Sequence, residues 1–541
     1  MKKTFHNLSL TGFFCVVCTM LLLAGPAEDK EKAKKRFEFA KTSFAGLHQV
    51  YPFTKGHLNE KAAKTCNFAH AKWVTFADIK WEDLEPSAPS GTKHKYAWDE
   101  LDKTVALWQK YDFQIILQVN PRCGWAQGKG KFTSVSDAKL KTAIRNSALP
   151  VDNTAAFSDL MQNMAERYDC DGLDDMKDGK YPIYIFEILD EPQDPLRWNG
   201  TADEYGKLLD LGSAAIKKAN KGDVLVLPNI SFKGLAHATK SEDEFNKKLE
   251  EYVTGKANDD EKAFCRHYFE FIKEIVSKNR SYDAVGVQAN GSIEEMVDDI
   301  VYLKKQMTSE GINKQVWVTS STSAPPLVAG MSGPYWSSVY TDGEKFSKIL
   351  STPKDKQYEK ISKWHLMEQS KYGVKKIMTA LGNNVQRFML GAIEDRAGED
   401  SKTYSHDGIM EAKWDSKTDN CEYGDPRPVL LSYKLLNRWV DGFTAVETLK
   451  LGTGVSAYKF TVKDRPVYVM WFEDTQAPGP DVRRAEKLVD ITSDRQQLDI
   501  VYMFTDPAQK GPIISREAVR DGKITLRVSD LPMLILDEYV P

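Results

Sequence analysis

Between about residues 44 and 440, short and nearly continuous apolar runs alternate with segments whose apolar positions recur every three or four residues. The runs are 44–48, 73–78, 114–120, 183–189, 224–228, 284–288, 316–320 and 388–393. Such runs suit strands buried on both faces. Between them, Leu101, Val105 and Trp108 share one helical face. So do Phe264, Tyr268, Ile272 and Ile275, and also Ile293, Val297, Ile300 and the stem of Lys304. Eight strand–helix alternations predict an α/β fold, a closed (β/α)8 TIM barrel with long loops. An open doubly wound sheet is the rival, but no glycine-rich turn follows the first strand.

After residue 445 the rhythm changes. Runs at 458–462, 467–472, 499–504, 524–528 and 533–536 are separated by turn residues, with no long helix. They predict a C-terminal antiparallel β-sandwich. Val467, Val469 and Trp471 alternate with Tyr468 and Met470, so both faces of that strand are expected to be covered. The charged stretch 241–262 is expected to be a solvated helix and loop. The organisation is thus 1–27 as a signal, 28–444 as the barrel and 445–541 as the sandwich.

The signal rests on Lys2 and Lys3, an apolar stretch over 13–24 too short to span a bilayer, and small residues at Gly25 and Ala27. It implies a secreted or periplasmic protein with no membrane association once the signal is removed. Losing Lys2 and Lys3 takes the formal net charge from -3 to -5, which favours neither a membrane surface nor a polyanion, so no nucleic-acid partner is expected. Of the 7 cysteines, Cys15 and Cys18 lie in the signal, and the remaining five form neither a disulfide framework nor a metal pattern. Two disulfides at most are open to them. No His-Glu-x-x-His and no calcium loop appears, so no metal and no cofactor is expected.

Barrel active sites lie at the C-terminal ends of the strands. The fourth run ends Phe186-Glu187-Ile188-Leu189-Asp190-Glu191-Pro192. Pro192 stops the strand, and Glu191 projects toward the mouth. A carboxyl against apolar walls has its charged form disfavoured, which suits a general acid. An Asp-Glu-Pro alone is equally an ordinary acidic turn. His48 follows the first strand, and Asn120, Arg122 and Trp125 follow the third. Trp317, Tyr335 and Trp336 offer aromatic faces on which a flat, amphipathic ligand stacks. His406-Asp407-Gly408 is either an acid-orienting pair or a turn.

The wider pattern resembles clan A glycoside hydrolases. Trp73 to Phe76, then Trp81 to Pro86, Tyr96-Ala97-Trp98 and Leu101-Asp102 match their second-strand region. The run Phe186 to Pro192, followed by Trp198, Gly200-Thr201 and Glu204-Tyr205, is similar to their acid/base strand. The resemblance is nearest to the family 39 type, β-xylosidases and α-iduronidases, which also carry a β-sandwich. It implies a carbohydrate partner, an oligosaccharide or glycoside, with Glu191 as general acid/base. Asp190 stands where that family has an Asn holding the sugar 2-hydroxyl.

Three positions depart from the family. Val316-Trp317-Val318-Thr319 matches its seventh strand, yet Ser320 replaces the nucleophilic Glu. Gln288-Ala289-Asn290 replaces a frequent His-x-Tyr, and Ile393-Glu394-Asp395-Arg396 a frequent Trp. A serine without a base does not attack an anomeric carbon. Three readings stay open. One is a hydrolase whose second carboxylate is relocated to Glu394 or Asp395, or less favourably Asp78. Another is a carbohydrate-binding pseudoenzyme, and the third is an enzyme of another class on this barrel. Gln288, Asn290 and Ser320 are expected to line the substrate site in any of these.

Overall fold

A computed structural model describes residues 27–53, 59–91, 93–236, 239–325, 343–395, 406–415, 420–473 and 479–540. The expected signal, apart from Ala27, lies outside the described residues, as do Tyr335 and Trp336.

Eight parallel strands close a barrel in chain order: β1 (Ala45–Val50), β2 (Trp73–Lys80), β3 (Gln114–Asn120), β4 (Ile185–Ile188), β5 (Val224–Ile230), β6 (Ala284–Ala289), β7 (Gln315–Ser321) and β8 (Phe388–Leu390). Helices between successive strands bury the predicted faces: Leu101, Val105, Trp108, Tyr268, Ile272, Ile275 and Ile300 are at most 2% exposed. Side-chain caps start many of these helices, with Asn153, Thr201, Ser241, Asn258 and Ser292 accepting from first-turn amides. The charged stretch forms the helix Glu242–Thr254 and the start of the helix Asp259–Lys278, and it buries Phe245 and Val253.

The barrel floor is packed. Trp73, Ile116, Ile185, Val226, Ala284, Trp317 and Met389 form one cluster at the N-terminal ends of the strands. The Arg387 guanidinium lies 3.7 Å from the Trp73 ring centre and 4.6 Å from that of Trp317. Trp317 therefore belongs to the floor and not to the mouth where sugars would stack.

Beyond β8 the chain forms an antiparallel hairpin, β9 (Met410–Asp415) and β10 (Asn420–Pro426). The helix Pro428–Trp439 then leads into β11 (Ala445–Thr448), β12 (Val455–Val462), β13 (Arg465–Phe472), β14 (Lys487–Thr492), β15 (Gln497–Tyr502), β16 (Ile513–Ala518), β17 (Lys523–Val528) and β18 (Met533–Leu536). Six of these form a sheet in the order β11-β12-β13-β18-β15-β16, and β14 and β17 form a second. Met470, Val489, Ile500, Leu526 and Ile535 pack between the two sheets. The opposite face of the larger sheet, with Phe460, Val469, Trp471, Val501 and Leu534, joins the barrel's own core. The larger sheet thus has apolar packing on both faces.

Polar contacts reinforce this seam. Lys371, 4% exposed on the helix Tyr358–Gly382, binds Asp530 at 2.7 Å and also pairs with Glu368. Arg484 holds the same Asp530 at 2.9 Å. The five described cysteines, Cys66, Cys123, Cys170, Cys265 and Cys421, are all free thiols. Among the described residues no helix is long and apolar enough to cross a membrane.

Candidate active site

The chain leaves β4 through a left-handed backbone, with Leu189 at φ 62° and Glu191 at φ 44°. Asp78 after the central part of β2 (φ 54°) and Asn229 near the end of β5 (φ 53°) do the same. Non-glycine residues adopt this region seldom, and such strain gathers at functional sites. These four left-handed residues lie at the C-terminal rim.

Glu191 is held from several sides. The amide of Asp194 donates to the Glu191 carbonyl at 2.9 Å, and those of Arg197 and Trp198 donate to Asp194 at 2.8 Å. These successive turns bring the Arg197 guanidinium back to 3.8 Å from the Glu191 carboxylate. Trp198 is fully buried and anchors the loop, its indole N–H donating to the Thr201 carbonyl at 3.1 Å. A Cβ at Gly200 would lie 2.7 Å from the Trp198 ring, so glycine is required there. Thr201 and Glu204 then cap the next helix reciprocally, and the Tyr205 hydroxyl donates to the Ile188 carbonyl at 2.5 Å. The residues that resembled an acid/base strand are thus the frame of the Glu191 loop.

From β6, the Gln288 amide donates to Glu191 Oε1 at 2.9 Å. Burial, then the charges of Asp190 and Asp194, push the Glu191 carboxyl up, while Arg197 and the Gln288 bond pull it back. The balance is a raised pKa. The protonated form therefore persists above the usual carboxylate range, as a general acid requires.

Asp190 accepts a short hydrogen bond from the Asn229 amide, and the Thr319 hydroxyl donates to Asn229 Oδ1 at 2.7 Å. That chain links β4, β5 and β7 across the mouth. Gln193 closes it from beneath, donating to the Asn229 carbonyl at 2.9 Å and toward the Tyr268 hydroxyl at 3.1 Å. Ser320 stands opposite Gln288 in the β6–β7 ladder, past an irregularity in register. Paired residues of parallel strands share a face, so Ser320 lies on the face from which Gln288 reaches Glu191.

Deeper in the barrel Glu187 is 1% exposed and accepts from Gln118 at 2.8 Å. Its Oε1 is buried with no hydrogen-bond partner. Burial, with the Asp190 charge adding, raises its pKa to about 8, so this carboxyl is neutral at pH 7.

Solved structures share this architecture. A family 39 glycoside hydrolase from Bacteroides cellulosilyticus WH2 aligns with TM-score 0.53 and 14% identity over 92% of this chain and 81% of its own. A monomeric β-xylosidase from Caulobacter crescentus CB15 aligns with TM-score 0.53 and 11% identity over 92% and 96%. A family 30 endoxylanase from Clostridium papyrosolvens C71 aligns with TM-score 0.51 and 10% identity over 91% and 96%. The fold is that of the clan A glycoside hydrolases. In sequence, no protein-family model and no curated protein matches the chain.

Two proposed second carboxylates are engaged elsewhere. Both Asp395 oxygens bind the buried Arg427 guanidinium, at 2.9 and 2.6 Å, and the Gly408 amide adds a bond at 2.8 Å. The Arg427 charge holds Asp395 below its usual range against the cost of burial. Glu394 is 8% exposed and accepts from the β10 Tyr423 hydroxyl at 3.0 Å, with Cys66 and Cys421 as neighbours. Neither is among the charges that chiefly act on Glu191. The reason is local: β8 ends at Leu390, three residues before the expected end, and Ala392 and Ile393 already pair with Ile409 and Met410.

The remaining candidates fall as follows. Asn120 ends β3 and donates to Asp78 at 2.7 Å, while Lys80 lies 3.3 Å from the other Asp78 oxygen. His48 is buried in β1, paired with Thr75. Asn290 is half-buried in the turn after β6, between the carbonyls of Ala289 and Gly291 that the buried Lys376 binds. Trp125 meets Trp81 edge-on at 5.0 Å and donates to the Glu85 carbonyl at 2.9 Å, and Arg122 pairs with Glu82 at 3.1 Å. His406 contacts Ser351 at 3.1 Å.

Sequence reasoning missed Asn229, Arg197 and Glu187. Asn229 had a readable signal, a polar residue closing an apolar strand, hidden because β5 runs two residues beyond its expected end at 228.

Proposed function

We propose that this chain is a carbohydrate-active enzyme that receives a glycoside in the C-terminal mouth of its barrel and hydrolyses the glycosidic bond with Glu191 as the general acid. The observation that carries this reading is the Glu191 environment: a part-buried carboxyl of raised pKa, fixed by Gln288 and Arg197 at the end of β4. A protonated carboxyl placed there delivers a proton to the leaving-group oxygen. Asp190, held by Asn229, is oriented to accept from a sugar hydroxyl. The relatedness in fold to family 39 and family 30 hydrolases supports the same substrate class.

With Ser320 at the nucleophile's position and Glu394 and Asp395 bound by other partners, neither proposed residue supplies the second carboxylate of a double displacement among the described residues. Asp78, half-exposed at the rim and oriented by Asn120 and Lys80, is the carboxylate assigned to activate a water, which gives inversion of configuration. The N-terminal basic and apolar stretch supports action outside the cytoplasm, a reading that N-terminal sequencing of the exported protein would check.

A second reading has its own observation. Ser320 and the engaged carboxylates equally suit a protein that binds sugar without cleaving it. Hydrolysis of an aryl-glycoside panel, followed by polarimetry or NMR of the released anomer, separates the two. The expected result is turnover with inversion, lowered about 10²–10⁴-fold in Glu191→Gln for poor leaving groups, with sugar binding retained. Turnover in wild type that Glu191→Gln leaves unchanged overturns the assignment. Sugar binding without turnover establishes the second reading.

A further inference from the structure

A second set of carboxylates lies at the opposite end of the barrel. The helix Thr154–Tyr168 ends at Asp169, and the loop toward β4 folds back on itself. One carboxylate oxygen each from Asp169, Asp171 and Asp175 lies within 4.8 Å of the others. Acidic clusters on loops are common and mean little alone.

Asp223 changes the picture. It immediately precedes β5 and is 2% exposed, and both of its carboxylate oxygens are buried with no hydrogen-bond partner. The charge acting most on it is Asp169. The backbone explains why the two segments meet. The Ile183 amide donates to the Tyr168 carbonyl at 2.8 Å, and the Val224 amide to the Tyr184 carbonyl at 2.8 Å, so both lie against the entry to β4. Asp175 Oδ1 is likewise buried without a partner. The one nearby cation acting on Asp223, Lys217, is itself bound by Asp283 at 2.8 Å and by Ser213 at 3.1 Å. Buried carboxylate oxygens are ordinarily hydrogen-bonded, paired with a cation or bound to a metal.

We propose that Asp169, Asp171 and Asp175, with Asp223 behind them, bind a hard divalent cation, and specifically Ca²⁺. The donor set is all oxygen, which suits Ca²⁺, Mg²⁺ or Mn²⁺ over metals that prefer thiolate or imidazole. Ca²⁺ takes six to eight oxygens at about 2.3–2.6 Å in a flexible shell, which carboxylates and carbonyls of an irregular loop can supply. Mg²⁺ demands a shorter, near-octahedral shell. The spacing escaped the motif reading because it is not that of a helix–loop–helix calcium loop. The N-terminal face of such barrels serves stability and not substrate. The ion's effect is therefore on the fold.

The full chain, stripped with EDTA, is titrated with CaCl2 and separately with TbCl3. Ca²⁺ is expected to raise the Tm, because a ligand of the native state stabilises it by mass action. Tyr168, adjacent to Asp169, is placed to sensitise Tb³⁺ emission, which Ca²⁺ should displace. Asp171→Asn changes an exposed side chain and should weaken Ca²⁺ by roughly tenfold or more through loss of a ligand charge, leaving the Tm in EDTA unchanged or higher. Asp223→Asn should raise the Tm in EDTA and shrink the Ca²⁺-dependent gain. The proposal is overturned if millimolar CaCl2 leaves the wild-type Tm unmoved and Tb³⁺ stays dark. It is equally overturned if an Asp171→Asn/Asp175→Asn double variant keeps the whole Ca²⁺ response.

Discussion

Replacing the buried Glu187 by Gln should make the protein more stable at neutral pH, and by an amount that grows with pH. Glu187 sits on β4 beneath the mouth, 1% exposed, with one oxygen bound by Gln118 and the other without a partner. Its pKa is raised from the ordinary 4.5 to about 8. The sign follows from proton uptake. Between about 4.5 and 8 the unfolded chain has lost this proton and the native state keeps it, so stability falls as pH rises through that window. Each pH unit costs about 1.4 kcal/mol, so by pH 7 wild type has lost about 3 kcal/mol at this one group. A Gln of nearly the same shape keeps an acceptor for Gln118 and gains a donor where the protonated acid had one, yet carries no titration. Urea unfolding of both proteins at pH 5, 6, 7 and 8 gives the difference directly. The difference should be near zero at pH 5, favour Glu187→Gln by about 2–3 kcal/mol at pH 7, and level off above 8. A difference that stays flat from pH 5 to 8, or a variant less stable throughout, would refute a neutral Glu187.

Two further outcomes bear on the site. Asp395→Asn leaves the Arg427 guanidinium buried without its counter-charge and should cost about 3–5 kcal/mol in denaturant unfolding. Because the Asp395 pKa is lowered, the pair's contribution is full above about pH 4 in wild type and is lost as acid titrates the native carboxylate. A variant as stable as wild type but inactive would return Asp395 to the catalytic role. Gln288→Ala removes the bond that favours charged Glu191, so the alkaline limb of kcat/KM on an aryl glycoside should move to higher pH. A limb that moves down or stays put counts against Gln288 as the group that positions the acid.

The barrel was legible because its eight strands are continuous apolar runs, which only full burial explains. The missed strands lack that signature. β14 alternates buried and exposed residues, β16 is exposed throughout except at Ser515, and β11 is four residues long. Glu191 was legible because a carboxylate followed by Pro ends an apolar strand. Trp317 was misplaced because pattern gives the face of a strand but not the depth. Three residues before Ser320, at about 3.3 Å per residue, it lies some 10 Å down the barrel. Glu394 and Asp395 were misplaced because the run 388–393 stays apolar after the strand has ended at Leu390, and apolar residues under a hairpin look like strand. Arg197 follows no period at all. Only the turns from Glu191 to Trp198 put it beside the acid.

The central strands of the large C-terminal sheet have no face of their own to show to water, and that bears on heredity and engineering more than on the site. A crossover at residue 444 would hand a foreign barrel half of someone else's interior, leaving Phe460, Trp471 and Leu534 against surfaces that never fitted them. The two parts can be transplanted or redesigned only as a matched pair. Variation is cheap instead at tips such as the exposed Asp521–Gly522 turn, whose left-handed residues reverse the chain between β16 and β17. Length changes in a lineage of such proteins should accumulate there, while the two sides of the seam change together.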